Sequence, residues 1–341
     1  MASIILTIKN VFHGIVAAIM LIPILITMGD AGDPNTPVES YPESTNPYIT
    51  EYKDPDIAAH RSGAGIAPQN TLMAFENIIE QNDVLGVDTF EFDVQITKDG
   101  ELVLLHNLTY DDTSNAVEAF GKKNVYVSSV TFEEAQVLNL GENFKGNGDY
   151  PYRGLRGDDI PYNLRVVTCD DIIDYIEANS NGKEYRYCIE IKSIGSNGRR
   201  AVDKLYSIIT ERGLQDRAIW STFAPDVSAY MKSEYPEISR TADAIEAVQF
   251  YFYFRMNWNL QDVSPSYVAL QIPYGSSAFD NLINLGRREM LNYAHKNNIA
   301  VQYWTINNED EIRLLAENGA DCIMTDYPQT AYETVKSLDK E

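Results

Sequence analysis

The sequence predicts an α/β chain closed into a single (β/α)8 barrel. Three observations carry that expectation. Short apolar runs of strand length alternate with helical patterns from Asp56 to Leu338, a stretch of roughly 280 residues that suits one eight-fold barrel better than two open-sheet domains. With 341 residues and 44% apolar content the chain can bury a large core, and no internal repeat or low-complexity stretch divides it. Polar and charged residues collect just past the apolar runs, at the strand ends where barrels of this type build their sites.

Residues 1–31 read as a targeting segment. Ile15–Met28 is an uncharged run of 14 residues behind Lys9, followed by Gly29-Asp30-Ala31. That length suits the apolar core of a signal peptide, and the small residues Gly29 and Ala31 suit a cleavage site. An uncleaved anchor reaching back toward Ile4 and a buried core helix are the other readings. Export follows, either as a secreted protein or as one anchored on the extracytoplasmic side, with membrane association through this segment. Residues 32–55 are rich in Asp, Pro, Ser, Thr and Asn and read as a polar linker or a strap on the domain surface.

The barrel domain spans residues 56–338. Its strand candidates are Ile57–Ala59, Thr89–Val94, Leu102–Leu105, Tyr187–Ile191, Ala218–Ser221, Ile238–Thr241, Tyr267–Gln271, Ala300–Trp304 and Cys322–Thr325. Helices are predicted over Thr71–Gln81, Thr131–Leu138, Cys169–Asn179, Arg199–Arg212, Ala224–Tyr235, Gly286–Asn297 and Asn308–Asn318. Thr131 with Glu134 makes a capping-box pattern, and Asn308 with Glu311 a looser one. Nine strands are one too many. Thr97-Lys98-Asp99-Gly100 signals a turn, and the distance from Asp93 to His106 is short for a helical crossover, so a hairpin or irregular strand is expected there. Residues from about 111 to 164, with little periodicity outside Thr131–Leu138, form a small insertion ahead of the fourth strand.

Charge and cysteine content exclude some functions. A formal charge of −23 argues against nucleic-acid or anionic-membrane binding by simple electrostatics. Any anionic substrate needs a local positive centre. Three cysteines without ligand spacing imply no disulfide framework.

In Thr89–Val94 the residues alternate, so Phe90, Phe92 and Val94 share one face and Glu91 and Asp93 the other. Two buried carboxylates side by side are costly unless a positive charge lies between them. Oxygen-only ligands point to a hard cation such as Ca²⁺ or Mg²⁺; a solvated edge strand is the plainer reading. Of four histidines, His60 and His106 each follow an apolar strand-like run directly, which places them at strand ends. His13 belongs to the targeting segment, and His295 reads as exposed and idle. In Cys188–Lys192, Glu190 and Lys192 share a face, as a third metal carboxylate with a phosphate contact or as a surface ion pair. Arg61 can grip another anionic oxygen with its planar fork. Three carboxylates, two imidazoles, a lysine and an arginine on one rim suit phosphodiester hydrolysis, which uses a divalent ion, cations for developing charge and two proton-moving groups. The aromatic run Tyr251–Phe254 reads as a pocket lining, a lipid contact or, more commonly, packing.

These residues carry a resemblance. His60-Arg61-Ser62-Gly63, continuing to Pro68-Gln69-Asn70-Thr71, is similar to the opening block of the glycerophosphodiester phosphodiesterase family. Glu91-Phe92-Asp93-Val94, Thr97-Lys98-Asp99-Gly100 and His106 match its second block in order and spacing. Glu190-Ile191-Lys192, Trp304-Thr305-Ile306-Asn307 and Thr325-Asp326-Tyr327-Pro328 look like its later motifs. The resemblance implies a TIM barrel with a small insertion, one divalent cation (Ca²⁺ ahead of Mg²⁺) held by Glu91, Asp93 and Glu190, and a catalytic pair in His60 and His106. It also implies hydrolysis of glycerophosphodiesters to glycerol 3-phosphate and an alcohol, with Arg61, Lys192 and Trp304 on the substrate. One histidine deprotonates a hydroxyl or water that attacks phosphorus, and the other protonates the leaving alcohol; His106 is favoured as base. Three residues depart from the family pattern. Gln69 stands for a glutamate, Asn107 for the aspartate after the second histidine, and Asp112 for a common arginine. The alternatives are a phospholipase D-like enzyme on lysolipids or sphingomyelin, and a non-catalytic phosphodiester-binding barrel.

Overall fold

The computed structural model describes residues 32–338 apart from 34, 147 and 276–283. The targeting segment lies outside these residues. Among the described residues no helix is long and apolar enough to cross a membrane.

The strands are β1 (Asp56–Ala59), β2 (Thr89–Ile96), β3 (Leu102–Leu104), β4 (Arg186–Ile191), β5 (Ala218–Ser221), β6 (Ala269–Pro273), β7 (Ala300–Trp304) and β8 (Cys322–Thr325). They form one sheet in the order β5-β4-β2-β1-β8-β7-β6, with β3 attached to β2 alone. All the neighbours along that path are parallel, and β3 is antiparallel to β2. Ile238–Thr241, expected as a full strand, contributes single bridges: Arg240 to Trp220 of β5 and Thr241 to Ala269 of β6. Those bridges close the ring. The surplus ninth strand is therefore β3, and it is the second arm of the expected hairpin.

Alternation decides which side chains enter the barrel. Phe90, Phe92, Val94 and Ile96 of β2 point outward and pack with Tyr187, Ile189 and Ile191 of β4 beneath the helices α1 (Leu72–Glu80), α2 (Cys169–Asn179) and α3 (Gly195–Glu211). Thr71 caps α1 by accepting from the Ala74 amide, which starts the helix at the edge of the β1 loop. On the other half, Leu270, Ile272, Val301, Tyr303 and Ile323 pack under α5 (Ala244–Arg255), α6 (Arg288–Lys296), α7 (Glu309–Asn318) and α8 (Pro328–Leu338). Between α3 and α5, α4 (Pro225–Glu234) follows β5. Residues α5 and α8 were not foreseen as helices.

The bottom of the barrel is filled by small side chains, Ala58, Cys188, Ala269, Ala300 and Cys322, together with Tyr48 from the strap. Tyr48 is buried, and the strap is pinned on both sides of it. Asn46 Nδ2 donates to Val268 O at 2.7 Å and to Asn298 O at 2.9 Å, and the Thr50 amide donates to Asp321 Oδ1 at 3.0 Å. Residues 46–50 are thus a plug for the barrel floor. His295 is corrected here: it is buried, with Nε2 2.8 Å from Asp321 Oδ2, and it ties α6 to the turn before β8. The insertion has a small core of its own, in which Tyr110, Val125, Val127, Ala135 and Leu138 pack with Val103 and Leu105. Thr131 and Glu134 form the full capping box, although the helix they start, Phe132–Ala135, lasts one turn.

Candidate active site

The inward residues of β2 and β4 meet at the C-terminal end of the barrel. The parallel register sets Asp93 beside Glu190, with Glu91 one inward position below, and ligand oxygens of Glu91, Asp93 and Glu190 lie within 4.8 Å of one another. Asp93 is exposed to only 1% and Glu91 to 3%. Asn70 fixes Asp93 from both sides: its Nδ2 donates to Asp93 Oδ2 at 2.9 Å, and its Oδ1 accepts the Asp93 amide at 3.2 Å. Arg61 donates its backbone N–H to Glu91 Oε2 at 2.7 Å. The turn that aims this amide inward puts Arg61 at φ 50° and Gly63 at φ 83°, left-handed conformations of which only the second is free of cost. A Cβ on Gly65 would stand 2.5 Å from the Tyr327 ring, so a larger residue there would have to push that exposed ring aside.

Burial pushes the Glu91 carboxyl well above its ordinary range, and the charge of Asp93 pushes it further. Burial also raises Glu190, against the pull of Lys192. Lys192 Nζ lies 2.6 Å from Glu190 Oε1 and 3.2 Å from Asp93 Oδ1. Burial acts to discharge that ammonium, but the acids facing it prevail and hold it above its usual value. Arg61 Nε is buried without a hydrogen-bond partner among the described residues, 3.8 Å from Asp93 Oδ2. Lys192 leaves the trio under-compensated, and an all-oxygen donor set of this spacing fits a hard divalent cation.

Both histidines open onto the same cavity. It measures about 300 Å³ and is lined by His60, Arg61, Glu91, His106, Glu190, Lys192 and Trp304. Every residue expected at the site therefore lines this cavity except Asp93, which lies against Arg61 and Lys192 beneath it. His60 Nδ1 is 2.7 Å from Asp326 Oδ1, and Asn307 Nδ2 donates to Asp326 Oδ2 at 2.8 Å. Burial works to raise Asp326, but the hydrogen bond and charge of His60 outweigh it and hold the carboxyl below its usual range. Nε2 is the ring nitrogen His60 leaves for the cavity. Burial lowers the His106 pKa, with Lys192 and Arg61 adding to the effect and Asp93 opposing it. Trp304 ends β7 against Phe223, ring centroids 5.8 Å apart, and Phe223 is 60% exposed at the mouth. The aromatic run Tyr251–Phe254 stays away from the site: Phe254 packs on Tyr293 and Phe252 on Trp258.

Sequence reasoning missed Asp326, Asn70 and Phe223 as parts of the site. Asp326 and Asn70 stood in recognised motifs, but their partners are distant in sequence and only chain folding supplies them. Phe223 carried no signal beyond following a strand.

The family model described as the glycerophosphoryl diester phosphodiesterase family matches residues 60–330. A glycerophosphodiester phosphodiesterase of Caldanaerobacter subterraneus subsp. tengcongensis is 27% identical over 286 residues, covering 82% of this chain and 97% of its own. Among solved structures, a glycerophosphoryl diester phosphodiesterase from Silicibacter pomeroyi, described as putative, superposes with a TM-score of 0.64 at 20% identity, over 84% of this chain and 94% of that one. An Oleispira antarctica phosphodiesterase in complex with sn-glycerol-3-phosphate superposes at 0.59 with 20% identity, over 83% and 97%. The two superpositions match the fold, and the family model covers the sequence from the first site histidine to the helix after β8: the chain belongs to the glycerophosphoryl diester phosphodiesterase family.

Proposed function

We propose that this protein is a divalent-metal-dependent phosphodiesterase that hydrolyses glycerophosphodiesters to glycerol 3-phosphate and an alcohol. The observation that carries the reading is one cavity onto which two imidazoles open beside a cluster of three carboxylates. The Oleispira relative's bound sn-glycerol-3-phosphate supports the product class. Glu91, Asp93 and Glu190 would hold the cation, which neutralises phosphate charge and polarises the phosphorus centre. Arg61 and Lys192 bind phosphate oxygens and absorb charge that develops there. His106 Nε2 takes the proton of the attacking hydroxyl or water as the new oxygen–phosphorus bond forms. His60, with Asp326 behind it, gives its proton to the alcohol oxygen as that oxygen–phosphorus bond breaks. Trp304 lies along the organic part of the substrate. Ca²⁺ is favoured over Mg²⁺ because the Ile15–Met28 segment points to export, where Ca²⁺ is abundant.

The test is a panel of glycerophosphodiesters assayed after EDTA stripping, with each metal added back. Activity restored by Ca²⁺ supports the reading; no turnover with either metal favours a non-catalytic binding barrel. His60→Ala and His106→Ala should each abolish turnover while metal affinity by calorimetry stays nearly unchanged. A parallel loss of affinity would make the imidazoles ligands and bring Zn²⁺ forward. N-terminal sequencing of exported material tests cleavage near Ala31; a sequence starting at Met1 would exclude it. Phe223, exposed beside Trp304, favours a second reading, phospholipase D-like cleavage of lysolipids. Lysophosphatidate or a cyclic phosphate released from lipid, with no product from glycerophosphocholine, would select it.

A further inference from the structure

His106 is held by a short chain of side chains that ends in a carboxylate. Its Nδ1 lies 2.7 Å from Asn107 Oδ1, and Asn107 Nδ2 donates to Asp112 Oδ2 at 2.6 Å. An ionised carboxylate only accepts, so the amide must turn its NH₂ toward Asp112 and its oxygen toward the imidazole. Facing an acceptor, His106 Nδ1 must carry a proton. Neutral His106 is then the Nδ1–H tautomer, and Nε2 keeps a bare lone pair. Both ends of the chain are clamped. Gln95, inside β2, donates to the carbonyl oxygens of Leu105 (3.0 Å) and Asn107, and Asn143 of the insertion donates to Asp112 O at 2.9 Å.

From this geometry we infer that Asn107 and Asp112 act as one positioning unit, which fixes His106 as the Nδ1–H tautomer with an open Nε2. The effects expected on turnover rest on the hydrolase reading above; the tautomer does not. The other imidazole is held differently, because a carboxylate, Asp326, touches His60 Nδ1 directly. A neutral amide at Nδ1 gives His106 no such charge.

The two residue types are also interdependent. Aspartate at 107 would set two carboxylates at hydrogen-bond distance, where they repel. Arginine at 112 would present only donors to Asn107, turn the amide round and offer its NH₂ to His106 Nδ1. Changed together, an aspartate at 107 would face an arginine at 112 and the Nδ1 acceptor would be restored. The departures at 107 and 112 thus make sense as a pair.

Two measurements test this. In metal-free ¹⁵N-labelled protein above the histidine titration, two-bond ¹H–¹⁵N correlations report each imidazole tautomer, with His106 assigned by its loss in His106→Gln. Nδ1–H is expected for wild type and for the double variant Asn107→Asp/Asp112→Arg, and Nε2–H is expected to take over in Asp112→Arg. Wild type in the Nε2–H form, or an unchanged tautomer in Asp112→Arg, overturns the inference. In turnover assays, each of Asn107→Asp and Asp112→Arg should lower kcat about 10-fold or more with little change in KM, and the double variant should recover most of it. The acid limb of its pH profile should move to higher pH, since a charged partner then stabilises the His106 imidazolium. Additive losses, or an unmoved limb, also overturn the inference. If wild type hydrolyses no glycerophosphodiester, the hydrolase reading fails while the tautomer measurement still decides the rest.

Discussion

At the scale of single residues, Asp326 is the side chain whose removal is most informative. It belongs to no part of the carboxylate trio, yet it holds His60 at 2.7 Å and is itself held by Asn307. Asp326→Asn keeps the shape and removes the carboxylate charge beside His60 Nδ1. The expected outcome is a kcat lower by about 10–100-fold with KM changed little, read by steady-state kinetics, and unchanged cation affinity by calorimetry. A variant with wild-type kcat would remove Asp326 from support of His60. Sequence alone exposed the Glu91–Asp93 pair because a strand's two-residue alternation is local. It hid Asp326 because His60 and Asp326 lie on strands at opposite ends of the chain. His295 was misjudged for a related reason. Its helix is polar by composition, but the strap and Asp321 come to cover it, and neither is visible from α6.

Among elements, the strap makes the sharpest prediction. Tyr48 fills space that Ala58, Cys188, Ala269, Ala300 and Cys322 leave open, so Tyr48→Ala should cost about 3 kcal/mol through the cavity it creates. Chemical denaturation should show a lower midpoint at unchanged slope, with kcat/KM close to wild type because the floor lies at the far end from the acids. A variant as stable as wild type would make the strap a passive covering. Strands were readable where β-branched and aromatic residues run between turn signals, and β5, β7 and β8 appear at their expected bounds. The helix α5 escaped notice because Phe250–Phe254 is apolar on every face, which erases the helical period. Residues 238–241 were overestimated. They make the bridges that close the ring, but only Arg240 and Thr241 pair.

For the whole molecule, the buried acids tie stability to pH and to metal. Glu91 binds its proton more tightly folded than unfolded, chiefly because of burial. Its contribution is therefore fully present at low pH and is lost as pH rises past the ordinary glutamate range toward the elevated folded value. In EDTA the melting temperature should fall over that window, and Glu91→Gln should flatten the fall. Ca²⁺ should raise the melting temperature most at the alkaline end, where the trio is ionised and protons no longer compete for it. Scanning calorimetry across pH with and without Ca²⁺ checks both, and a metal effect independent of pH would argue against binding at these carboxylates. The attachment of β3 has a consequence at this scale too. Two of the three clustered carboxylates ride on β2 within the ring itself, whereas the second imidazole follows an appendage joined to β2 over three residue pairs and seated on the insertion's separate core. Variation in the insertion can retune the second imidazole while the ring and its acids stay as they are, whereas a slip of one residue along β3 would also turn Leu102 and Leu104 out of the main core they share with β2.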